Sequence, residues 1–292
     1  MMDVLVGLLC AASWAAGSVM MRDLTAKMDP FTMNAPRTLI GGLAILLFAL
    51  LSGRPLDYAA ISSEQLLFLL SSMLVGGGLG DTAYVVAIAR IGVSRAFPIS
   101  SVYPAITLVF GLLFLREQVT WTVVLGLALA VGGVILIGRP ASDGASASAR
   151  SVPAASGVGY ALAAALCWAA STVMIAPGVR GLDPITVATL RVPALSLAFW
   201  GVVALRRTWS QYRTLTRRDW WLIVCGGVVG WGLGSVLFVL SVQLLGATRS
   251  AILTSTSPLF ALPMSAVFLH ERIHRGVLLG TVMAVAGVVL IS

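Results

Sequence analysis

The chain nearly repeats itself at a fixed offset of 154 residues. Between Trp14 and Arg37, nine of 24 positions hold the same residue as the position 154 further on, without a gap. Trp14 thus pairs with Trp168 and Arg37 with Arg191, and the register continues almost to the end of each copy. A register that survives so far without an insertion indicates that one structural unit was duplicated.

Composition shows what kind of unit was duplicated. The chain is 59% hydrophobic and only 10% charged, unlike an ordinary soluble domain. Its apolar runs reach about twenty residues, the length at which a helix crosses a bilayer. Because lipid offers no hydrogen-bond partner to an unpaired backbone group, such spans must be helices. We therefore predict an all-α membrane protein with spans at 4–21, 33–51, 66–89, 94–115, 121–138, 157–176, 185–205, 220–244, 250–269 and 274–291.

These ten spans divide into five per repeat, and the odd number has a consequence for topology. Five crossings carry the chain to the opposite side of the membrane, so the second repeat enters the bilayer upside down. We predict two inverted five-helix repeats, 1–138 and 157–292, joined at 139–156 by a flexible linker rich in Ala, Ser, Gly and Pro. Inverted repeats are typical of secondary transporters, whose solute site lies near the membrane midplane where the halves meet.

The net charge of +8 lies in the connections between spans rather than on one folded face, which argues against nucleic-acid binding. Apart from Arg37 and Arg191, thirteen basic residues lie on the side away from both termini and four on the other side. The positive-inside rule then places both termini outside the cytoplasm.

Several features recur in order in both copies: an aromatic residue followed by small residues, Asp-Pro ahead of an arginine, a proline in the fourth span and a Leu-x-Glu ending. This ordered set resembles the EamA domain of the drug/metabolite transporter superfamily, and within it the YddG-like amino-acid exporters. The resemblance implies a ten-helix metabolite exporter with cytoplasmic termini. The charge count implies the opposite orientation, so the orientation stays open. The resemblance also implies a structural role for Arg37 and Arg191, for which snorkelling to the headgroups is the alternative.

Glycines mark the last span of each repeat. Gly126 and Gly133 lie one heptad apart on the fifth span, and Gly280 and Gly287 match them on the tenth. In small multidrug-resistance relatives a similar helix packs subunits together. The resemblance therefore implies that these two helices pack half against half.

Four residues of the predicted solute site lie in the first, third and sixth spans. Trp14 and Trp168 hold equivalent positions away from span ends, where they either contact a small organic solute or belong to ordinary helix packing. Asp81 lies inside the third span, where an ionisable group is costly and functional by default. It could bind an ammonium group, carry a proton, or pair with an arginine of the spans. Tyr84 lies three residues later, on nearly the same helix face.

The other three predicted site residues lie beside prolines. Pro104 and Pro258 interrupt the fourth and ninth spans, and each leaves a carbonyl one turn earlier without its usual donor. Neighbouring hydroxyl groups can satisfy such a carbonyl or a solute. Ser101, Tyr103 and Ser255 therefore either repair the backbone or line a polar cavity, and we include all three in the site.

One motif suggests different chemistry. The segment 270–274 reads His270-Glu271-Arg272-Ile273-His274, which matches the H-E-x-x-H signature of zinc proteases. The equivalent segment 116–120 keeps the glutamate but has no histidine, and the motif falls in a tight loop between spans. An intramembrane zinc protease is therefore the rival from another class. Otherwise we predict no enzyme activity, no metal and no cofactor.

Together these features predict a secondary transporter that exports small polar metabolites by alternating access, with amino acids as the favoured solutes. A drug or nucleotide-sugar-like permease of the same superfamily is the alternative within transport. The expected partners are a small-molecule solute and the lipid of a bacterial-type inner (plasma) membrane, crossed several times. We expect no nucleic-acid partner, and a monomer is the working expectation.

Overall fold

The computed structural model describes residues 2–21, 24, 27–91, 96, 99–137, 154–261, 264 and 275–291. Regular structure in these residues is helical and none of them lies in a strand, in agreement with the predicted all-α class. The α-helices are α1 (Met2–Met21), α2 (Pro30–Leu51), α3 (Ser63–Met73), α4 (Asp81–Ile91), α5 (Tyr103–Phe110), α6 (Trp121–Ile137), α7 (Ala154–Gly178), α8 (Pro184–Arg206), α9 (Arg217–Gly226), α10 (Gly234–Thr254) and α11 (Arg275–Ile291). Shorter helical segments are π-helical at Leu74–Gly80, Gly111–Leu115 and Gly227–Leu233, and 3₁₀ at Tyr58–Ala60 and Thr208–Thr214.

Six helices of the described residues are long and apolar enough to cross a membrane by length and composition. They are Met2–Met21, Pro30–Leu51, Ser63–Ile88, Ala155–Gly178, Pro184–Arg206 and Arg217–Thr254. Shorter apolar helices occupy Tyr103–Leu115, Trp121–Leu136 and Leu279–Leu290. The predicted spans 94–115 and 250–269 lie partly outside the described residues, so ten inverted spans stay a prediction.

The two Asp-Pro pairs of the sequence begin equivalent helices. Asp29 is the N-cap of α2, and its carboxylate accepts the backbone N–H of Phe31 at 3.1 Å. Asp183 is the N-cap of α8 and accepts the backbone N–H of Thr186 at 2.8 Å. The proline after each aspartate takes the first helical position, where its missing N–H is not needed. The duplicated sequence thus sets the same helix start twice.

The described chain forms two compact units, each drawn from both halves of the sequence. The first unit comprises Met1–Leu74 and Met174–Gly246. In it α2 packs along α8, with Ile45, Val192 and Phe199 in one buried cluster. Outward-facing leucines of the same helices are largely exposed, among them Leu205 at 87%. Such exposure is unfavourable in water and fits contact with lipid.

Arg37 and Arg191 are buried in the first unit, at 9% and 3% exposure. The Arg37 guanidinium donates to the Asn34 side-chain oxygen at 2.8 Å. The Arg191 guanidinium donates to the Leu69 carbonyl oxygen at 3.3 Å and to the Ser72 hydroxyl at 3.2 Å. Both side chains therefore lie inside the helix packing. The structural role is confirmed, and snorkelling to the headgroups is wrong.

The second unit comprises Val75–Val173 and Ala247–Ser292. Here α6 packs closely along α11, as the resemblance implied. A Cβ atom at Gly133 would lie 2.6 Å from the Ala284 nitrogen, and one at Gly287 would lie 2.6 Å from the Ala130 nitrogen. Helices in lipid associate by close van der Waals contact rather than by the hydrophobic effect. The paired glycines allow that contact. The two close approaches, Gly133 to Ala284 and Gly287 to Ala130, are equivalent to each other at the repeat offset of 154 residues.

Candidate functional site

Asp81 lies at a point where helix geometry changes. The chain passes from α3 through the π-helical segment Leu74–Gly80 and enters α4 at Asp81, all within the apolar span Ser63–Ile88. π-Helical turns are rare and occur frequently at functional sites. Asp81 thus lies within a helix that is long and apolar enough to cross a membrane, in agreement with the predicted span 66–89.

The Asp81 carboxylate is bound to the indole of Trp168. Trp168 Nε1 donates to Asp81 Oδ1 at 2.8 Å. This approach depends on Gly80, because a Cβ atom there would lie 2.8 Å from Trp168 Cδ1 and 2.9 Å from Nε1. A side chain at position 80 would thus displace the indole that holds the carboxylate.

Two tyrosine rings surround the same indole. The Tyr84 ring centroid lies 5.1 Å from that of Trp168, and the Tyr103 ring meets Trp168 edge-on at 5.8 Å. The Tyr103 hydroxyl donates to the Ala251 carbonyl oxygen at 2.9 Å, which ties the ring to α10. We call Asp81, Tyr84, Tyr103 and Trp168 the Asp81 cluster. Sequence analysis predicted all four, and the second unit brings them together.

The chemistry of the Asp81 cluster suits a positively charged nitrogen. The indole N–H of Trp168 orients the carboxylate by a hydrogen bond and adds no charge of its own. The faces of Trp and Tyr rings attract ammonium and guanidinium groups within about 6 Å. All four side chains are half-buried, which strengthens such an attraction relative to water.

Ser101 and Ser255 are buried in the second unit, at 6% and 8% exposure. The Ser255 hydroxyl donates to the Ile252 carbonyl oxygen at 2.7 Å. Close by, the Ser257 hydroxyl donates to the Thr254 carbonyl oxygen at 2.7 Å, which is the carbonyl that Pro258 leaves without its helical donor. The Ser257 hydroxyl thus replaces the backbone donor that Pro258 lacks. A contact of Ser101 or Ser255 with solute stays a prediction.

Trp14 lies in the first unit, in a setting that parallels that of Trp168. A Cβ atom at Gly234 would lie 2.7 Å from Trp14 Nε1, just as one at Gly80 meets Trp168. Trp14 packs on Phe238, with ring centroids 5.2 Å apart. At the position equivalent to Asp81 this half of the chain has Ser235. The two tryptophans therefore share their packing but differ in the presence of an acid.

Glu117, the glutamate that segment 116–120 shares with 270–274, makes contacts that were not predicted from sequence. Glu117 accepts the backbone N–H groups of Ala247 at 2.6 Å and Thr248 at 3.2 Å. These donors follow Gly246, whose φ of 80° breaks the helical path of α10. The carboxylate thus caps a helix that restarts after the break. Glu117 and Glu271 hold equivalent positions in the two repeats, but the sequence gives no sign of which distant backbone groups Glu117 binds.

The zinc-protease motif, 270–274, lies outside the described residues. The structure therefore says nothing about His270, Glu271 or His274.

Comparison with known proteins identifies the duplicated unit. The model of the EamA-like transporter family matches this chain twice, at residues 1–139 and 155–292. The chain belongs to the EamA-like transporter family. An uncharacterized transporter of Archaeoglobus fulgidus is 25% identical over 292 residues, covering 100% of this chain and 98% of the relative. An uncharacterized transporter of Synechocystis is 26% identical over 292 residues, covering 96% of this chain and 86% of the relative.

Two further comparisons bear on fold and location. A solved crystal structure superposes with a TM-score of 0.79 at 16% identity, covering 99% of this chain and 95% of that one, which shows a shared fold. The inner membrane transporter YhbE of Escherichia coli is 23% identical over 134 residues, 46% of this chain and 42% of that protein. This EamA-like chain is thus a multi-pass membrane transporter of the drug/metabolite transporter superfamily.

Proposed function

We propose that this protein is a secondary transporter that exports small polar metabolites bearing a positively charged nitrogen, with amino acids as the favoured class. The observation that carries the proposal is the Asp81 cluster. An ionisable group inside a span is costly, and such groups mark substrate or ion pathways. Here that group is held by Trp168 beside two tyrosine rings, an arrangement that complements an ammonium group.

The proposed mechanism is alternating access between two inverted five-helix repeats, 1–138 and 157–292, joined by the linker 139–156. Its support is the recurrence of contacts at the repeat offset. The approach of Gly80 to Trp168 recurs as that of Gly234 to Trp14, and the approach of Gly133 to α11 recurs as that of Gly287 to α6. Inverted repeats let two similar packings exchange, which opens a central site to either side in turn.

We further propose that Trp14, Ser101 and Ser255 contribute to the solute path, and that the protein acts in an inner or plasma membrane. The location is supported by the likeness to the inner membrane transporter YhbE. The competing solute class is a drug or nucleotide sugar. An ammonium group is common to all amino acids but is not a common feature of drugs or of nucleotide sugars. The acid in the Asp81 cluster therefore favours amino acids.

Efflux from proteoliposomes tests the proposal. Purified full-length protein is reconstituted with internally loaded, radiolabelled neutral, cationic and acidic amino acids, one at a time. N-Acetyl derivatives, which lack the charged nitrogen, and a nucleotide sugar serve as comparisons. We expect faster release of at least one amino acid than from protein-free liposomes, with its N-acetyl derivative released no faster than the background. Release of the nucleotide sugar alone would contradict the assignment to amino acids.

A further inference from the structure

The connection between α8 and α9 presents an unusual surface at a membrane boundary. It joins the spans Pro184–Arg206 and Arg217–Thr254, so it lies where the bilayer ends. Its exposed side chains combine cations with large aromatic rings. We call these residues the Arg–Trp surface: Arg207, Trp209, Arg213, Arg217, Arg218 and Trp220.

The two tryptophans of this surface belong to a cluster of four aromatic rings within the first unit. Trp200 of α8 stacks on Trp209 at 5.4 Å, Trp209 approaches Tyr212 at 6.3 Å, and Tyr212 stacks on Trp220 at 6.1 Å. The Tyr212 hydroxyl donates to the Thr32 carbonyl oxygen at 2.8 Å. Trp209 and Trp220 nevertheless remain 49% and 39% exposed. The cluster is thus anchored through Tyr212 and leaves Trp209 and Trp220 partly exposed.

Two of the cations lie where they oppose helix stability. Arg217 and Arg218 occupy the first turn of α9, directly after the N-cap Thr216. The helix macrodipole places partial positive charge at that end, so cations there are unfavourable and acids are favourable. Asp219 of the same turn accepts the backbone N–H of Thr216 at 2.8 Å and completes the capping box. The helix macrodipole therefore gives no reason for two arginines at this position.

The equivalent connection of the first repeat shows that the fold does not need these residues. Segment 52–67 matches 206–221 at the repeat offset, and it also contains a short 3₁₀ helix followed by a capping box, formed by Ser62 and Gln65. Its first helical turn holds Ser63 and Glu64 instead of two arginines. It has one arginine and two acids, where 206–221 has five arginines and one acid, and it has no tryptophan.

We propose that the Arg–Trp surface binds the headgroups of anionic phospholipids. Guanidinium groups form charge-assisted, often bidentate hydrogen bonds with phosphate, which matches the exposed cations. Tryptophan is enriched at the headgroup level of membranes, which matches the partly exposed rings between them. Anionic leaflets attract basic residues at the membrane boundary by about 1 kcal/mol each, equivalent to about a fivefold gain in affinity. The inference rests on charge and ring placement alone and is independent of the transported solute.

The test compares lipid binding by full-length protein in a neutral detergent. Dioleoylphosphatidylglycerol or dioleoylphosphatidylcholine is titrated in, and bound lipid and melting temperature are followed by native mass spectrometry and thermal denaturation. For the wild-type protein we expect tighter binding and a higher melting temperature with phosphatidylglycerol, both weakened by salt. The combined variant Arg213→Gln, Arg217→Gln and Arg218→Gln should bind phosphatidylglycerol on the order of 100-fold more weakly.

Controls separate lipid binding from loss of fold. Without lipid the triple variant should melt no lower than the wild type, since two of the removed charges oppose the α9 dipole. Lysine at the same three positions keeps the charge but loses the bidentate geometry, so phosphatidylglycerol affinity should lie between those of the wild type and the glutamine variant. Arg54→Gln in the equivalent connection should leave it unchanged. Equal binding of both lipids by the wild type would overturn the proposal. So would unchanged phosphatidylglycerol binding by the triple variant, or an equal stabilisation by soluble glycerol phosphate.

Discussion

At the scale of single residues, two tryptophans at equivalent positions of the repeat differ in one neighbour. Both are approached closely by a glycine, Gly80 for Trp168 and Gly234 for Trp14. Only the Trp168 side has an aspartate next to that glycine, because Ser235 replaces it on the other. The packing is thus common to both halves, and the acid is an addition that packing does not require.

This difference predicts the outcome of two matched substitutions. Gly80→Ala places a Cβ atom 2.8 Å from the Trp168 ring, and Gly234→Ala places one 2.7 Å from the Trp14 ring. Each should lower the free energy of unfolding by about 1–3 kcal/mol through overpacking. Gly80→Ala alone should also weaken apparent solute affinity, by about tenfold, because it displaces the donor to Asp81. Thermal denaturation and concentration-dependent efflux measure the two effects.

Gly159→Ala is the control for both, since nothing lies within 4 Å of a Cβ atom there. It should leave stability and transport unchanged. Equal loss of affinity in Gly80→Ala and Gly234→Ala would show that the acid has no special role.

Residue chemistry explains which parts of the site could be predicted from sequence. An acid inside an apolar span is visible in the sequence, and Tyr84 follows from helical spacing relative to Asp81. The partners of Tyr103 and Glu117 could not be predicted, because Ala251 and Ala247 contribute backbone atoms from far along the chain. A backbone carbonyl or N–H is common to almost every residue, so sequence gives no sign of which one is bound.

At the scale of elements, local signals set the helix boundaries and small residues set the packing. Asp-Pro marks the starts of α2 at Pro30 and α8 at Pro184, slightly before the predicted spans 33–51 and 185–205. The break at Gly246 falls between the predicted spans 220–244 and 250–269. The π-helical segments Leu74–Gly80 and Gly227–Leu233 were not predicted. A π-helical turn shifts the hydrogen-bond register by one residue and leaves composition unchanged, so hydropathy does not reveal it.

The contact of α6 with α11 predicts different effects for two neighbouring glycines. A Cβ atom at Gly133 would lie 2.6 Å from the Ala284 backbone nitrogen, which cannot move without shifting the helix. A Cβ atom at Gly132 would meet only the flexible end of Met283, at 3.3 Å. Gly133→Ala should therefore lower stability by about 1–3 kcal/mol, and Gly132→Ala should be nearly neutral. The melting temperatures of the two variants are measured in the same detergent. An equal decrease in both would contradict this prediction.

At the scale of the whole molecule, the duplication predicts where equivalent loops lie. If each repeat has five spans, five spans separate the connection containing Arg54 from the one containing Ser210. The two connections then lie on opposite sides of the membrane. A variant without Cys10, Cys167 and Cys225 can receive one cysteine at position 54 or at position 210. An impermeant maleimide added to intact cells should label one of the two single-cysteine proteins and not the other. Labelling of both, with lysed cells confirming that each thiol reacts, would contradict the inverted repeat.

The same measurement decides orientation. Position 210 lies within the arginine-rich connection. The positive-inside rule therefore predicts that a cysteine there is protected from the maleimide in intact cells and that one at position 54 is labelled. The opposite pattern would place both termini in the cytoplasm, as the family resemblance implied.

The central claim is that the Asp81 cluster binds the charged nitrogen of a transported solute. The most direct test measures efflux of an amino acid that the protein transports, as a function of its concentration, for wild type, Asp81→Asn, Trp168→Phe and the matched control Trp14→Phe. Asp81→Asn should weaken apparent affinity by about tenfold or more, as expected for a lost charge-assisted contact, and Trp168→Phe should weaken it less. Trp14→Phe should weaken affinity less than Trp168→Phe does, because Ser235 instead of an acid holds the position equivalent to Asp81 in that half. All variants should remain folded. Wild-type affinity and solute preference in Asp81→Asn would contradict the account.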